Sequence, residues 1–107
     1  MTGEILEMGE VAGRIRDKLQ AGLAPLRLDI VDESARHAGH EGARAEGETH
    51  FRISVVAAAF AGRSRLERQR RIYALLAEEL QSRVHALAIA AALTPEEAAE
   101  ALRSSGP

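Results

Sequence analysis

The 107-residue sequence predicts an α+β domain, ordered helix, strand, strand, helix, strand, helix, with a three-stranded sheet covered on one face by helices. Three observations carry this. Apolar residues recur at helical spacing near the start of the chain, and two later segments alternate apolar and polar with period two. An apolar run, Val84-His85-Ala86-Leu87-Ala88-Ile89-Ala90, is then flanked by helix-start motifs on either side.

The first helix is expected over about Glu4 to Ala21, where Ile5, Met8, Val11, Ala12, Ile15 and Leu19 share a face and Gly22 reads as the stop. After Pro25, Leu26, Leu28 and Ile30 alternate with Arg27 and Asp29, the pattern of a half-buried strand. Residues 32–49 are polar and hold Gly39, Gly42 and Gly47 without apolar period, so they read as a long loop. Phe51, Ile53 and Val55 then point one way, and His50, Arg52 and Ser54 the other. Phe60 to Arg63 read as a turn, and Ser64-Arg65-Leu66-Glu67 has the spacing of a capping box. The helix it opens is expected to turn Leu66, Tyr73, Leu76 and Leu80 inward, with Ile72 at the edge, and to end near Gln81-Ser82. The run holding His85 reads as a buried third strand. Thr94 caps the last helix, with Pro95 at its first position. One domain is expected over residues 1–103, with 104–107 as a disordered tail.

Composition narrows the function classes. Tyr73, Phe51 and Phe60 are the only aromatics, too few for a base-stacking surface, and a net charge of −2 gives no global attraction to phosphate. The absence of cysteine excludes disulfides, thiolate catalysis and an all-thiolate cluster site built from this chain. No stretch approaches the roughly 18 apolar residues of a membrane span, and the N-terminus lacks a basic signal region, so a cytoplasmic protein with no membrane contact is expected. No nucleophile elbow, P-loop or dinucleotide-binding glycine pattern occurs, and no enzymatic activity is expected.

Two groups of residues carry candidate chemistry. Arg63, Arg65, Arg68, Arg70 and Arg71 gather at the start of the second helix, opposed only by Glu67. Such a cluster either holds phosphate or an acidic partner, or is a solvated helix face. His85 is the second candidate. An imidazole in a buried strand needs a partner for each ring nitrogen, so it is either a core histidine bonded to backbone or a metal ligand. In a chain without thiols, imidazole is the best donor for a borderline transition metal. His37 and His40 in the loop could add to the set, and His50 reads as a surface residue, but histidines from distant segments remain an incomplete set.

Four motifs in order resemble the BolA family: Asp32-Glu33-Ser34, Gly47-Glu48-Thr49-His50-Phe51, the stretch from Phe60-Ala61-Gly62-Arg63 to Glu67-Arg68-Gln69-Arg70, and Val84-His85-Ala86-Leu87. The resemblance spans about Ile15 to Ala98. It implies a fold related to class II KH domains, although the Gly-x-x-Gly spacing of KH modules is absent before the second helix.

The resemblance also implies a partner, a monothiol glutaredoxin, with which BolA proteins share a [2Fe–2S] cluster. No cofactor is then expected in the isolated protein. Glutaredoxin and glutathione would supply thiolates, and His85 would take the role of the family's histidine ligand. The second ligand would come from the loop. Anchoring on Asp32-Glu33-Ser34 selects His37, the preferred ligand, and counting back from His50-Phe51 falls nearer His40, the alternative. Neutral imidazole ligands would raise the cluster potential, as in Rieske centres, and acid would release the cluster. DNA is the alternative partner, through Arg63 to Arg71, where five phosphate contacts would give a logarithmic salt slope of about −4.5. A weak homodimer is also left open.

Overall fold

A computed structural model describes residues 9–33 and 49–105. The elements are α1 (Glu10–Leu23), β1 (Arg27–Asp32), β2 (His50–Val56), a short 3₁₀ turn (Ala58–Phe60), α2 (Arg65–Leu75), α3 (Ala77–Ser82), β3 (Ala86–Leu93) and α4 (Pro95–Ser105). The expected α+β order is therefore present, with the second helix divided at Leu76. The expected first turns of the opening helix, His37, His40 and most of the 32–49 loop lie outside the described residues.

The sheet runs β1-β2-β3, with β1 antiparallel and β3 parallel to β2. The parallel pair needs the crossover that α2 and α3 supply. Phe51, Ile53 and Val55 alternate into the core as their spacing predicts, and they meet Val11, Ile15 and Leu19 of α1 and Ile72 and Leu76. The opposite face is partly wet, with Arg52 and Ala88 exposed. At one end of that face, Ala98, Ala101 and Leu102 of α4 border a shallow cleft with Arg27, Ser54 and Val56.

Four expectations are corrected. Gly22 lies inside α1 and does not end it; the helix stops at Ala24, whose φ of 45° is left-handed and whose amide donates to the Gln20 carbonyl. Gly22 instead permits close approach, since a Cβ there would stand 2.6 Å from a Leu75 methyl. The inner stripe of α2 is also displaced: Ile72 and Leu76 are buried, while Leu66 and Tyr73 are 53% and 42% exposed. The third strand starts and ends later than the apolar run suggests. Val84 takes the buried place ahead of it, leaving His85 exposed and outside the strand. Finally, α4 continues to Ser105, into what reads as tail.

Both expected helix starts are built as the residues require. The Glu67 amide donates to Ser64 Oγ at 3.1 Å, and the Ser64 amide donates to Glu67 Oε1 at 2.8 Å. At α4 the Glu97 amide donates to Thr94 Oγ1 at 3.1 Å, and the Thr94 amide donates back to Glu97 Oε1 at 2.9 Å.

Candidate functional site

Parallel pairing of β2 with β3 brings their N-terminal ends side by side, with His50 opposite Ala86. His85, one residue before β3, is held there by its backbone. Its amide donates to the Thr49 carbonyl at 2.7 Å, and the Val84 amide donates to the Glu79 carbonyl at 2.8 Å. Glu79 is itself fixed, its fully buried carboxylate meeting Arg14 at 3.1 Å and Lys18 at 2.8 Å across to α1. The backbone leading into His85 is thus anchored on both sides while the side chain is left exposed.

The ring of His85 lies against that of His50, with centroids 6.0 Å apart and planes inclined by 14°. His50 is half-buried, and its Nδ1 shares a 2.8 Å hydrogen bond with Oγ1 of the buried Thr49. His50 therefore does more than the surface role its strand position suggests. The signal that could have found it is the parallel strand–helix–strand connection, which places the two strand heads at the same end. The same end carries both anchors of the 34–48 segment: Asp32 pairs with Phe51, and the Glu33 amide donates to the His50 carbonyl at 2.7 Å. Two imidazoles do not complete a metal site, and no group of three or more His, Asp or Glu side chains suited to an ion occurs among the described residues. Any metal held here needs further ligands, from the loop or from another molecule.

The five arginines are not one surface. Arg68 turns back under the helix, where its Nη atoms donate to Glu97 at 2.6 and 3.1 Å, Nη1 to the Ala92 carbonyl at 2.9 Å, and Nε to the Arg63 carbonyl at 2.9 Å. Its guanidinium carbon also stands 5.7 Å from the centre of the Phe60 ring. Hydrogen bonding from Arg68, reinforced by the Thr94 amide, holds the Glu97 carboxyl down at about 2, and Glu97 in turn raises Arg68 above its ordinary value. Arg63, Arg65, Arg70 and Arg71 are exposed and make no ion pair among the described residues.

Comparison with known proteins places this architecture. The family model described as BolA-like protein matches residues 19–97. The chain belongs to the BolA-like family. Curated relatives of this BolA-like chain include SufE-like protein 1, chloroplastic/mitochondrial, of Arabidopsis thaliana, 44% identical over 97 residues that make up 87% of this chain and 26% of that protein. The DNA-binding transcriptional regulator BolA of Escherichia coli is 46% identical over 76 residues, 71% of this chain and 69% of the relative. Among solved structures, the BolA domain of SufE1 from Arabidopsis thaliana shares 47% identity and superposes with a TM-score of 0.73, covering 84% of this chain and 98% of that one. The BolA-like chain thus spans about a quarter of the longest of these relatives and the whole of its BolA domain.

Proposed function

We propose that this BolA-like chain is a non-enzymatic adaptor that pairs with a monothiol glutaredoxin in the cytoplasm and shares a [2Fe–2S] cluster with it, in iron–sulfur trafficking or in iron and redox regulation. One observation carries the proposal: an exposed imidazole, His85, stands on an anchored backbone beside both ends of a histidine-bearing loop. The ring of His85 makes no hydrogen bond among the described residues, so its nitrogens remain available as metal ligands. His37 lies four residues beyond Glu33, a reach of roughly 13 Å, and His40 seven, a reach of roughly 23 Å. Either is long enough to bring an imidazole to His85. The donor set suits a shared cluster, because the chain offers imidazoles and no thiolate and so depends on a partner for the rest.

The test is anaerobic mixing with a monothiol glutaredoxin, glutathione and iron, read by visible absorption and circular dichroism. A spectrum distinct from that of the glutaredoxin alone is expected, lost in His85→Ala and altered in one of His37→Ala and His40→Ala. Spectra equal to the glutaredoxin homodimer's, with no effect of His85→Ala, reject the proposal.

DNA binding is the second reading, favoured by the Escherichia coli relative, which is named a DNA-binding transcriptional regulator. The engagement of Arg68 with Glu97 reduces the available arginines to four, so the expected logarithmic salt slope is about −3.6. A duplex affinity insensitive to salt removes this reading.

A further inference from the structure

We propose that the cleft between the end of α1, the 3₁₀ turn and the start of α2 binds a small organic anion, with a phosphate, sulfonate or carboxylate group on an apolar body. The cleft encloses about 500 Å³, within the range of small-ligand sites. The buried Leu23 and Phe60 form its floor, the exposed Ala59 and the arginine stems give it an apolar wall, and Arg63, Arg70 and Arg71 give it three guanidiniums. The balance of charge inside it favours an anion. Arg68 reaches the same cleft but is neutralised by Glu97. Glu67 is the one carboxylate in the lining, and its Oε1 is occupied by the Ser64 amide of the capping box.

The three remaining arginines have no acidic partner among the described residues. Arg71 makes a single long bond, 3.4 Å, to the Gly22 carbonyl, and Arg63 and Arg70 make none through their side chains. Guanidinium forks of this kind match phosphate and carboxylate oxygens two at a time, and a ligand gains most where apolar contact accompanies the charge. A duplex backbone lying across the rim would meet the guanidiniums and leave the exposed Ala59 and the aliphatic stems of Arg63, Arg70 and Arg71 uncovered. A small anion with an apolar body satisfies both. Arg65 lies outside the cleft, which gives an internal control. This site is at the far end of β2 from His50 and is independent of the cluster proposal.

Phenyl phosphate, titrated into the ¹⁵N-labelled chain and followed by amide shifts, tests the assignment, with inorganic phosphate and benzyl alcohol as the charge-only and body-only comparisons. Saturable shifts are expected at residues 22–23, 59–63 and 67–71, with phenyl phosphate bound at least about tenfold more tightly than either comparison. Arg70→Gln combined with Arg71→Gln is expected to weaken binding by about tenfold or more, since charge-assisted contacts are lost, while Arg65→Gln leaves it unchanged. Arg63→Gln alone gives the same direction should the double variant fold poorly. Equal affinity for inorganic phosphate, equal affinity for benzyl alcohol, or an equal loss in Arg65→Gln each overturns the proposal.

Discussion

The two ends of the β2–β3 pair are built on opposite terms. At the N-terminal ends the backbone is tied, through Thr49 and Glu79, and the imidazole of His85 is left exposed. At the C-terminal ends a side chain is tied: Arg68 is only 11% exposed and spends its donors on Glu97, Ala92 and Arg63. The difference teaches where stability and chemistry are kept. A group that satisfies all its hydrogen bonds within the fold stabilises it and has nothing left for a ligand. A group whose backbone is fixed and whose ring is unoccupied adds little stability and is ready to bind.

Arg68→Ala should break the contrast most severely. It removes charge-assisted bonds to one carboxylate and one strand carbonyl, and a loss of about 2 kcal/mol in urea unfolding is expected. The cluster spectrum of the glutaredoxin mixture should stay unchanged, because the histidine end is untouched. Ser64→Ala should cost about 1 kcal/mol, since the cap it removes at α2 is local. A smaller effect is expected from Glu97→Gln, and it should depend on pH. The folded carboxyl titrates at about 2 against an ordinary 4.5, so its contribution is complete above 4.5 and is lost as pH falls toward 2. The midpoint of urea unfolding in wild type should therefore fall more steeply across that window than in Glu97→Gln; parallel slopes would show that the Arg68 pair does not couple to folding. His85→Ala sharpens the comparison from the other side, with stability within about 0.5 kcal/mol of wild type. A larger loss would mean that the ring packs where it is now seen exposed.

The order of elements was legible because each is announced locally: period-two alternation in β2, Ser64 and Glu67 at α2, Thr94 and Pro95 at α4. The face of α2 was not. Its inward stripe contains Arg68 and Gln69 as well as Ile72 and Leu76, and a hydrophobic count passes over an arginine whose partner is 29 residues away. His85 is singled out by its sequence context but reads as part of a buried strand, because the apolar run gives no sign that Val84 alone fills the buried position. His50 was undervalued for a related reason. Its neighbour is 35 positions later in the chain, and only the parallel register brings the two rings together. The companion histidines His37 and His40 lie outside the described residues, so the loop half of the candidate site stands on sequence.

The register shift in β3 has a consequence for behaviour in concentrated solution. β3 is eight uncharged residues at the rim of the sheet, the kind of strand on which further chains stack. Its partner positions jump from Ile89 to Ala91, so Ala90 is left over and the hydrogen-bonding repeat is interrupted midway. Two residues on, the Ala92 carbonyl is already taken by Arg68. The rim therefore offers an incoming strand no long unbroken row of backbone groups.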